Sequence, residues 1–266
     1  MHPIERLRYV ARASGVSHDV LVRETAGALA AFGNDPSGLV TACRRIVARQ
    51  PTSAPIWWLC ARVLCAPDPM GEAWRAVEEM ESDPTARELT HALPDGATVC
   101  VLGWPDVISD ALVRRGDLEV LVVDSHGEGS GLVRRLDASE VEAYDVPAIG
   151  LGAAAADADV VLLEPSAVGP DELLAVAGSR AAAATARHAG VEVWMVAGVG
   201  RMLPRRMWDA LVSRVDLSDP WDADDELVPV DLVDRVVGPV GAEALAEGLK
   251  RVDCPVAAEL LAGGLV

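Results

Sequence analysis

The feature that most constrains the fold is a series of short, valine-rich apolar runs in the second half of the chain. The runs are ATVCVLGW, LEVLVVDS, EVEAYDV, ADVVLLEP and VEVWMVAG, and helical patterns lie between them at 106–115, 147–156 and 171–189. Strands that alternate with helices favour βαβ units and a parallel sheet. Such strands are buried on both faces, which accounts for apolar runs without strict alternation. We therefore predict an α/β fold with a Rossmann-like parallel-sheet domain over 93–266.

Residues 1–92 predict a separate helical domain without strands. Helical periodicity begins in PIERLRYVARA and continues in SHDVLVRETAGALAAF, for which Ser17 is the expected N-cap. Prolines divide the helical segments that follow. We expect three tryptophans to pack between these helices: Trp57, Trp58 and Trp74.

Beyond residue 200 the pattern is less regular. We expect a helix over 204–214, a solvated polar loop in DLSDPWDADDE, a strand near 233–238 and a helix over 241–250. The tail PVAAELLAGGLV is apolar enough to pack against the sheet or against a partner subunit.

The charge balance restricts the partners. The chain has 266 residues with 41 Asp and Glu against 23 Lys and Arg, a formal net charge of −18. This charge repels a phosphate backbone and an anionic bilayer, so we expect neither a nucleic-acid partner nor a membrane surface. A small phosphorylated ligand remains compatible, because a local pocket can be positive on an acidic protein.

The cysteines and the absence of ligand clusters restrict the chemistry. Five cysteines are scattered through helix and strand patterns, which indicates reduced thiols and a cytoplasmic location. The sequence contains no metal-ligand cluster, P-loop or Ser-His-Asp order, so we expect no metal and no cofactor. No stretch is long enough to predict a membrane span.

Four blocks of sequence, in their order along the chain, carry a resemblance to a known family. They are QPTSAPIWWLCARVL, ATVCVLGWPDVISDALVRRGDLEVLVVDSHGEGSGLVRRL, ADADVVLLEPSAVGPDELLAVAGSRAAAATARHAGVEVWMVAG and VPVDLVDRVVGPVG. These blocks resemble the translation initiation factor 2B alpha/beta/delta family over about residues 40–266, and the similarity is clearest at 97–200. The family includes methylthioribose-1-phosphate isomerase and ribose-1,5-bisphosphate isomerase. The resemblance implies a Rossmann-like domain and a homodimer formed through that domain.

The resemblance also implies where an isomerase site would lie. The isomerases need a thiol and a carboxylate facing each other over the sugar, with backbone amides and a cation for the phosphate. Where the family has Thr-His-Cys, this chain reads Gly103-Trp104-Pro105, so proline replaces the catalytic thiol. Where the family has Gly-Ala-Asp, the nearest acid is Glu164. Trp104 would either fill the pocket or stack on a ligand ring.

Two more motifs of the family are only partly kept. The Asn-Lys pair is absent, and only Gly178-Ser179 retains a small residue followed by a hydroxyl. The Glu-Ser-Arg position reads Asp124-Ser125-His126, which keeps the acid and loses the cation.

Two loops are candidates for binding an anion. In DSHGEGSG, Gly127, Gly129 and Gly131 could bring amides close to a phosphate, with Ser125 and His126 beside them. Its spacing is not G-x-G-x-x-G and no helix is expected directly after it, so a flexible turn is the alternative. Arg201 and the pair Arg205-Arg206, after the last clear strand, are the best local cations, and one of them could meet an anion at the sheet edge, with a solvated arginine as the alternative.

Two functional hypotheses follow. The first is a non-catalytic relative of the initiation factor that binds or senses a sugar phosphate or nucleotide, or acts as an assembly module. The second is a sugar-phosphate aldose–ketose isomerase that uses Glu164 with Asp124 or His126. In the second, we expect these three residues at adjacent strand ends.

Overall fold

The helical part of the chain comes first. The structure is a computed structural model that describes residues 17–33 and 35–261. Before residue 98 the described residues form helices and no strand: α1 (His18–Leu29), α2 (Pro36–Arg49), α3 (Ala54–Cys65), α4 (Pro69–Glu81) and α5 (Thr85–Ala92). The helix predicted in PIERLRYVARA lies outside the described residues. Ser17 occupies the N-cap position of α1, but its side chain makes no capping hydrogen bond.

The described residues form ten strands, and seven of them make up the main sheet. In chain order the strands are β1 (Thr98–Leu102), β2 (Glu119–Val123), β3 (Glu142–Val146), β4 (Val160–Leu163), β5 (Ala167–Val168), β6 (Glu172–Val176), β7 (Glu192–Val196), β8 (Asp225–Pro229), β9 (Arg235–Gly238) and β10 (Gly241–Ala244). The main sheet has the order β10-β9-β7-β4-β1-β2-β3, and every neighbouring pair is parallel except β10 with β9. The predicted α/β fold with a mostly parallel sheet is therefore confirmed.

Helices connect and flank these strands. They are α6 (Asp106–Leu112), α7 (Gly129–Asp137), α8 (Leu151–Asp157), α9 (Ser179–Ala189), α10 (Arg205–Val212), α11 (Leu245–Gly248) and α12 (Ala258–Leu261). In the described ranges, none of the helices is long and apolar enough to cross a bilayer.

A second sheet is antiparallel and has the order β5-β6-β8. Its strand β6 lies where the sequence predicted a helix. The helix predicted over 171–189 is wrong in its first part, because 172–176 form β6 and α9 begins only at Ser179. Neighbouring residues of a strand point to opposite faces. Leu173 accordingly joins the core beneath the main sheet, whereas Leu174 joins the core of the helices. Burial on both sides outweighs the local preference of these residues for helix.

The predicted helix over 241–250 is also wrong in its first half. Residues 241–244 form β10, which pairs antiparallel with β9, and α11 spans only 245–248. A two-residue turn of Pro239 and Val240 separates the strands, and Gly241 has a positive φ of 103° that favours glycine.

The C-terminal tail packs on the helices. Trp57 and Trp58 are fully buried, and their cluster includes Trp208 and Leu260. Helix α12 contacts α2 and α10, so within the chain the described part of the tail packs on the helical core rather than on the sheet. Trp74 is 48% exposed, which contradicts its predicted burial.

Candidate functional site

The order of the strands decides which predicted site residues lie side by side. Glu164 follows β4, whereas Asp124 and His126 follow β2. Strand β1 lies between β4 and β2, so the expectation of adjacent strand ends is wrong. With strands about 4.8 Å apart, the two loops begin about 10 Å from each other.

A small cavity lies above the ends of β1 and β4, and we call it the strand-end cleft. Its volume is about 150 Å³. Four predicted site residues line it, together with Glu128 and Asp225: Gly103, Trp104, Glu164 and Ser179. Within the described part of the chain its lining contains three carboxylates and no basic side chain. The charge of the lining is therefore unfavourable for a phosphate.

Trp104 forms a wall of the cleft and does not close it. The side chain is 40% exposed. It lies so close to helix α7 that a β-carbon on Gly131 would come within 2.5 Å of the ring. The remaining volume of about 150 Å³ is below the roughly 300–1,000 Å³ of ordinary ligand sites. The cleft can hold a group the size of a benzene ring, which occupies a cavity of about this volume.

Glu164 is held by a buried ion pair. Its Oε1 accepts a hydrogen bond from Arg201 Nη2 at 2.7 Å, and its Oε2 accepts one from the amide of Ile108 at 2.9 Å. The side chains of Glu164 and Arg201 are 5% and 4% exposed. Arg201 also donates to the carbonyl of Pro165 at 2.5 Å. The predicted acid and the predicted cation thus neutralise each other, and Arg201 is neither solvated nor part of the cleft lining.

Asp124 binds the first amide of a helix that the sequence did not predict. Helix α7 begins at Gly129, directly after the glycine-rich loop. Asp124 Oδ1 accepts a hydrogen bond from the amide of Gly129 at 2.9 Å. A β-carbon on Gly129 would lie 3.0 Å from the Asp124 Cα, so this close approach requires glycine. Asp124 therefore occupies an amide that the sequence assigned to a phosphate.

Residues 125–127 of this loop do not face the cleft, whereas Glu128 lines it. His126 has a positive φ of 55° and Gly127 one of 79°. The His126 Nδ1 lies 3.3 Å from Asp224 Oδ1, and its side chain is 42% exposed. Over the described ranges, Ser125, His126 and Gly127 do not line the cleft, so His126 does not meet Glu164 there.

The amides at the start of α9 bind a carboxylate from β8. Glu226 Oε1 accepts hydrogen bonds from the amides of Gly178 at 2.7 Å and of Arg180 at 2.9 Å. Gly178 precedes the helix with a φ of 100°, which turns its amide toward the same oxygen. The position that the resemblance assigned to a phosphate is therefore filled by Glu226.

Asp225, next to Glu226, faces the cleft. It pairs with Val176 across β6 and β8 and lines the cavity. Burial raises the pKa of this carboxyl, Asp224 also raises it and His126 lowers it, so that the pKa is about 6. Sequence reasoning missed Asp225 and Glu226, because the acidic stretch read as solvated loop. The apolar run LVPVDLV that follows was the available signal for a strand.

A second cavity, of about 410 Å³, lies on the other side of the Glu164–Arg201 ion pair. Glu164 lines the strand-end cleft, whereas Arg201 lines this second cavity. We call it the helix-side cavity. Five acids and two arginines line it: Asp19, Glu81, Asp83, Asp106, Asp110, Arg135 and Arg201. His18 Nδ1 lies 3.7 Å from Asp106 Oδ2 and is the main cause that lowers the pKa of Asp106. This cavity is also acidic.

The thiol chemistry of an isomerase has no counterpart in the described residues. Cys100 is fully buried in β1, and burial raises its pKa to about 12. A thiol with that pKa does not exchange protons near neutral pH. In the described part of the chain, no group of three or more His, Cys, Asp or Glu is arranged to hold a metal ion.

Solved structures that share this architecture include translation initiation factor eIF-2B and its subunits. The Pyrococcus horikoshii OT3 factor eIF-2B superimposes with a TM-score of 0.76 at 14% identity, covering 91% of this chain and 96% of that one. The chain has the eIF2B-subunit fold. The eIF2B beta subunit of Chaetomium thermophilum gives 0.75 at 18% identity, covering 99% and 93%. The tetrameric eIF2B-beta2-delta2 complex of C. thermophilum gives 0.74 at 20%, covering 93% and 92%.

The comparison by sequence is negative. No protein-family model matches the chain, and no curated protein matches it. The structural matches therefore confirm the eIF2B-like fold expected from the resemblance, while identities of 14–20% do not transfer an activity.

Proposed function

We propose that this eIF2B-like chain is a non-catalytic assembly module that does not bind a sugar phosphate or nucleotide at its strand-end cleft. The observation that carries the proposal is that the chain's own carboxylates fill the positions a phosphate would need. Glu226 binds the amides of Gly178 and Arg180, and Glu164 binds Arg201. Each anion site is therefore already occupied from within.

The energetic cost of displacing these carboxylates is large compared with ordinary binding. Leaving a buried charge without its partner costs about 3–5 kcal/mol. Since every 1.4 kcal/mol changes an affinity tenfold, a phosphate that took Arg201 from Glu164 would lose at least about a hundredfold in affinity. The three carboxylates of the cleft lining add repulsion.

The assembly role is supported by the exposed apolar residues beside the edge strand. Strand β3 ends the main sheet and pairs only with β2. Its Tyr144 is 47% exposed, and Ile149 in the turn that follows is 96% exposed. One structure with the same fold is a tetrameric complex of that factor's subunits. We propose a homodimer that covers Tyr144 and Ile149.

The first experiment tests ligand binding and turnover. We expect no thermal shift of the purified chain with ribose phosphates, methylthioribose 1-phosphate or nucleoside mono- and diphosphates, and no ketose signal by NMR. A ligand at a hundred times its dissociation constant would add about 2.7 kcal/mol, which is easily detected. A shift with one sugar phosphate would overturn the proposal, with or without ketose formation.

The second experiment tests assembly. Light scattering should give a multiple of the 27.9 kDa chain mass. We expect Ile149→Asp to shift the mass toward the monomer. Val240→Asp is the matched control, because Val240 is 61% exposed at the opposite edge of the sheet. A wild-type monomer, or equal effects of both variants, would refute the assembly role at β3.

The alternative from the sequence, an isomerase that uses Glu164 with Asp124 or His126, has one observation in its favour. Asp225, whose pKa is about 6, lines the cleft beside Glu164 and could exchange protons near neutral pH. Against it, Glu164, Asp124 and His126 are bound to three different partners. Ketose formation that Glu164→Gln abolishes would favour this alternative.

A further inference from the structure

The strand-end cleft contains carboxylates of two kinds. Glu164 is neutralised by Arg201. Asp225 and Glu128 also line the cleft, and among the described residues no hydrogen bond or ion pair of either side chain is present. Asp225 is the less exposed of these two. Among the described residues, the carboxylates of Asp225 and Glu128 therefore carry negative charge without a hydrogen-bonded or ion-paired partner, and His126 acts on Asp225 only through space.

An aromatic wall accompanies this charge. Trp104 packs against Gly131 of α7 and also lines the cavity. Tryptophan is the side chain that attracts an organic cation most strongly, and a carboxylate forms short, charge-assisted hydrogen bonds with guanidinium or ammonium groups. An aromatic ring and an unpaired carboxylate on one small cavity complement the same ligand class.

We propose that the strand-end cleft binds a small organic cation, a guanidinium or primary ammonium group, between the Trp104 ring and the Asp225 carboxylate. The inference rests on the proposed function, because it concerns the same cleft that excludes phosphates. The volume of about 150 Å³ accommodates a planar group of methylguanidinium size and excludes a ribose that carries a phosphate.

Two sources can supply this chemistry. One is a free metabolite with a guanidinium or amine. The other is an arginine or lysine side chain of a protein partner, which would enter the cleft from a peptide backbone outside it. Both present the same group to Trp104 and Asp225. One pair of probes must therefore differ only in charge, and another must differ in whether the cation is free or part of a peptide.

The experiment is an NMR titration of the full chain with ¹⁵N-labelled indole groups. We expect methylguanidinium to shift the Trp104 resonance with saturation, with a dissociation constant on the order of millimolar. Methylurea, its neutral isostere, should produce no saturable shift. Equal responses to the two probes would overturn the proposal.

Variants locate the site. Asp225→Asn keeps the shape of the side chain and removes its charge, and we expect it to weaken methylguanidinium at least tenfold. Trp104→Phe should weaken it less, since phenylalanine keeps a smaller aromatic ring. The matched controls are Asp222→Asn and Trp221→Phe in the neighbouring loop, where Trp221 is 92% exposed. Binding that Asp225→Asn leaves unchanged would contradict the assignment.

The pH dependence gives an independent reading. The titratable groups near Asp225 are Asp224, His126, Glu128 and the Glu164–Arg201 pair. Asp225 must be ionised to bind a cation, so the affinity should rise between pH 5 and pH 7.5. Of the basic groups among them, His126 acts on Asp225 directly. The rise must therefore persist in His126→Asn and vanish in Asp225→Asn.

A peptide separates the two sources. If Gly-Gly-Arg-Gly-Gly binds as well as methylguanidinium, the cleft accepts a side chain of a partner, and if only the free cation binds, the source is a metabolite. Failure of all cationic probes removes this inference and leaves the non-catalytic proposal intact. Saturable binding of ribose phosphates without cation binding would remove both.

Discussion

The strand-end cleft and the helix-side cavity are both acidic, but their carboxylates are used differently. In the larger cavity most acids already bind a donor of the chain. Asp83 accepts hydrogen bonds from the amides of Thr85 at 2.9 Å and Val199 at 2.7 Å, and Asp110 pairs with Arg135. In the cleft, Asp225 has no such donor, and its pKa is raised to about 6. Acidic residues thus tie loops together in one region and remain available for a ligand in the other.

Breaking the Glu164–Arg201 ion pair, which lies between the two cavities, should have the largest effect on stability. Arg201→Met leaves the buried Glu164 carboxylate without its cation, and we expect unfolding to become easier by about 3–5 kcal/mol. Urea unfolding followed by circular dichroism measures the change. Arg205→Met is the control, because Arg205 and Asp171 form an exposed pair worth at most about 1 kcal/mol.

A companion variant tests the cause. Arg201→Met combined with Glu164→Gln removes the stranded charge, so part of the lost stability should return. If Arg201→Met alone costs no more than Arg205→Met, the two cavities are not separated by a structural ion pair.

A substitution inside the cleft, Asp225→Asn, should have a smaller effect on stability and should stabilise the chain rather than destabilise it. Asp225 has a folded pKa of about 6 against an ordinary 3.8, so the folded state retains a proton that the unfolded state loses between these values. Stability is therefore lost as pH rises through this window, and Asp225→Asn should remove that loss. With about 1.4 kcal/mol for each pKa unit and partial solvent screening, we expect a gain of about 1–2 kcal/mol above pH 7.

The pH range provides the check on this prediction. Well below pH 3.8 Asp225 is protonated in both the folded and the unfolded wild-type chain, so the gain from Asp225→Asn should disappear. Melting temperatures at pH 8 and at about pH 2.5 measure it, with the exposed Asp222→Asn as control. A gain that is equal at both values would show that burial of a charge is not its cause.

The smallest predicted change in stability is that of His18→Gln in the helix-side cavity. His18 lowers the pKa of Asp106, so the wild-type chain gains stability from ionised Asp106 that is lost as pH falls through its lowered pKa. His18→Gln should return the pKa of Asp106 toward its usual range, with a stability change below about 1 kcal/mol for this partly exposed pair. NMR titration of the Asp106 carboxyl measures the shift, and an unchanged pKa would refute the contact.

The sequence predicted the elements that depend on local pattern. The valine-rich runs correspond to β1, β2, β3, β4 and β7, and the resemblance predicted the fold. Strand β6 was missed, because its pairing partner β8 begins 49 residues later, where Asp225 is opposite Val176. Helix α7 was missed because Gly129-Ser130-Gly131 has low helix propensity and its start depends on the hydrogen bond that Gly129 donates to Asp124.

The candidate site was predictable only in part for the same reason. Glu164, Trp104 and Ser179 follow strands or begin a helix, so their position near the sheet edge could be inferred. The roles of Glu226 and Asp225 depend on the β6–β8 pairing, and the Glu164–Arg201 contact joins residues 37 positions apart. A single sequence contains no local signal for contacts of this kind.

We infer that the chain's own carboxylates fill the places where a phosphate would bind. Replacing Glu226 by alanine is the sharpest test, since Glu226→Ala frees the amides of Gly178 and Arg180 at the start of α9. Thermal shift with inorganic phosphate should be compared for the wild type, Glu226→Ala and the control Asp222→Ala. We expect phosphate to stabilise only Glu226→Ala. Equal stabilisation of the wild type, or no stabilisation of Glu226→Ala, would refute this inference.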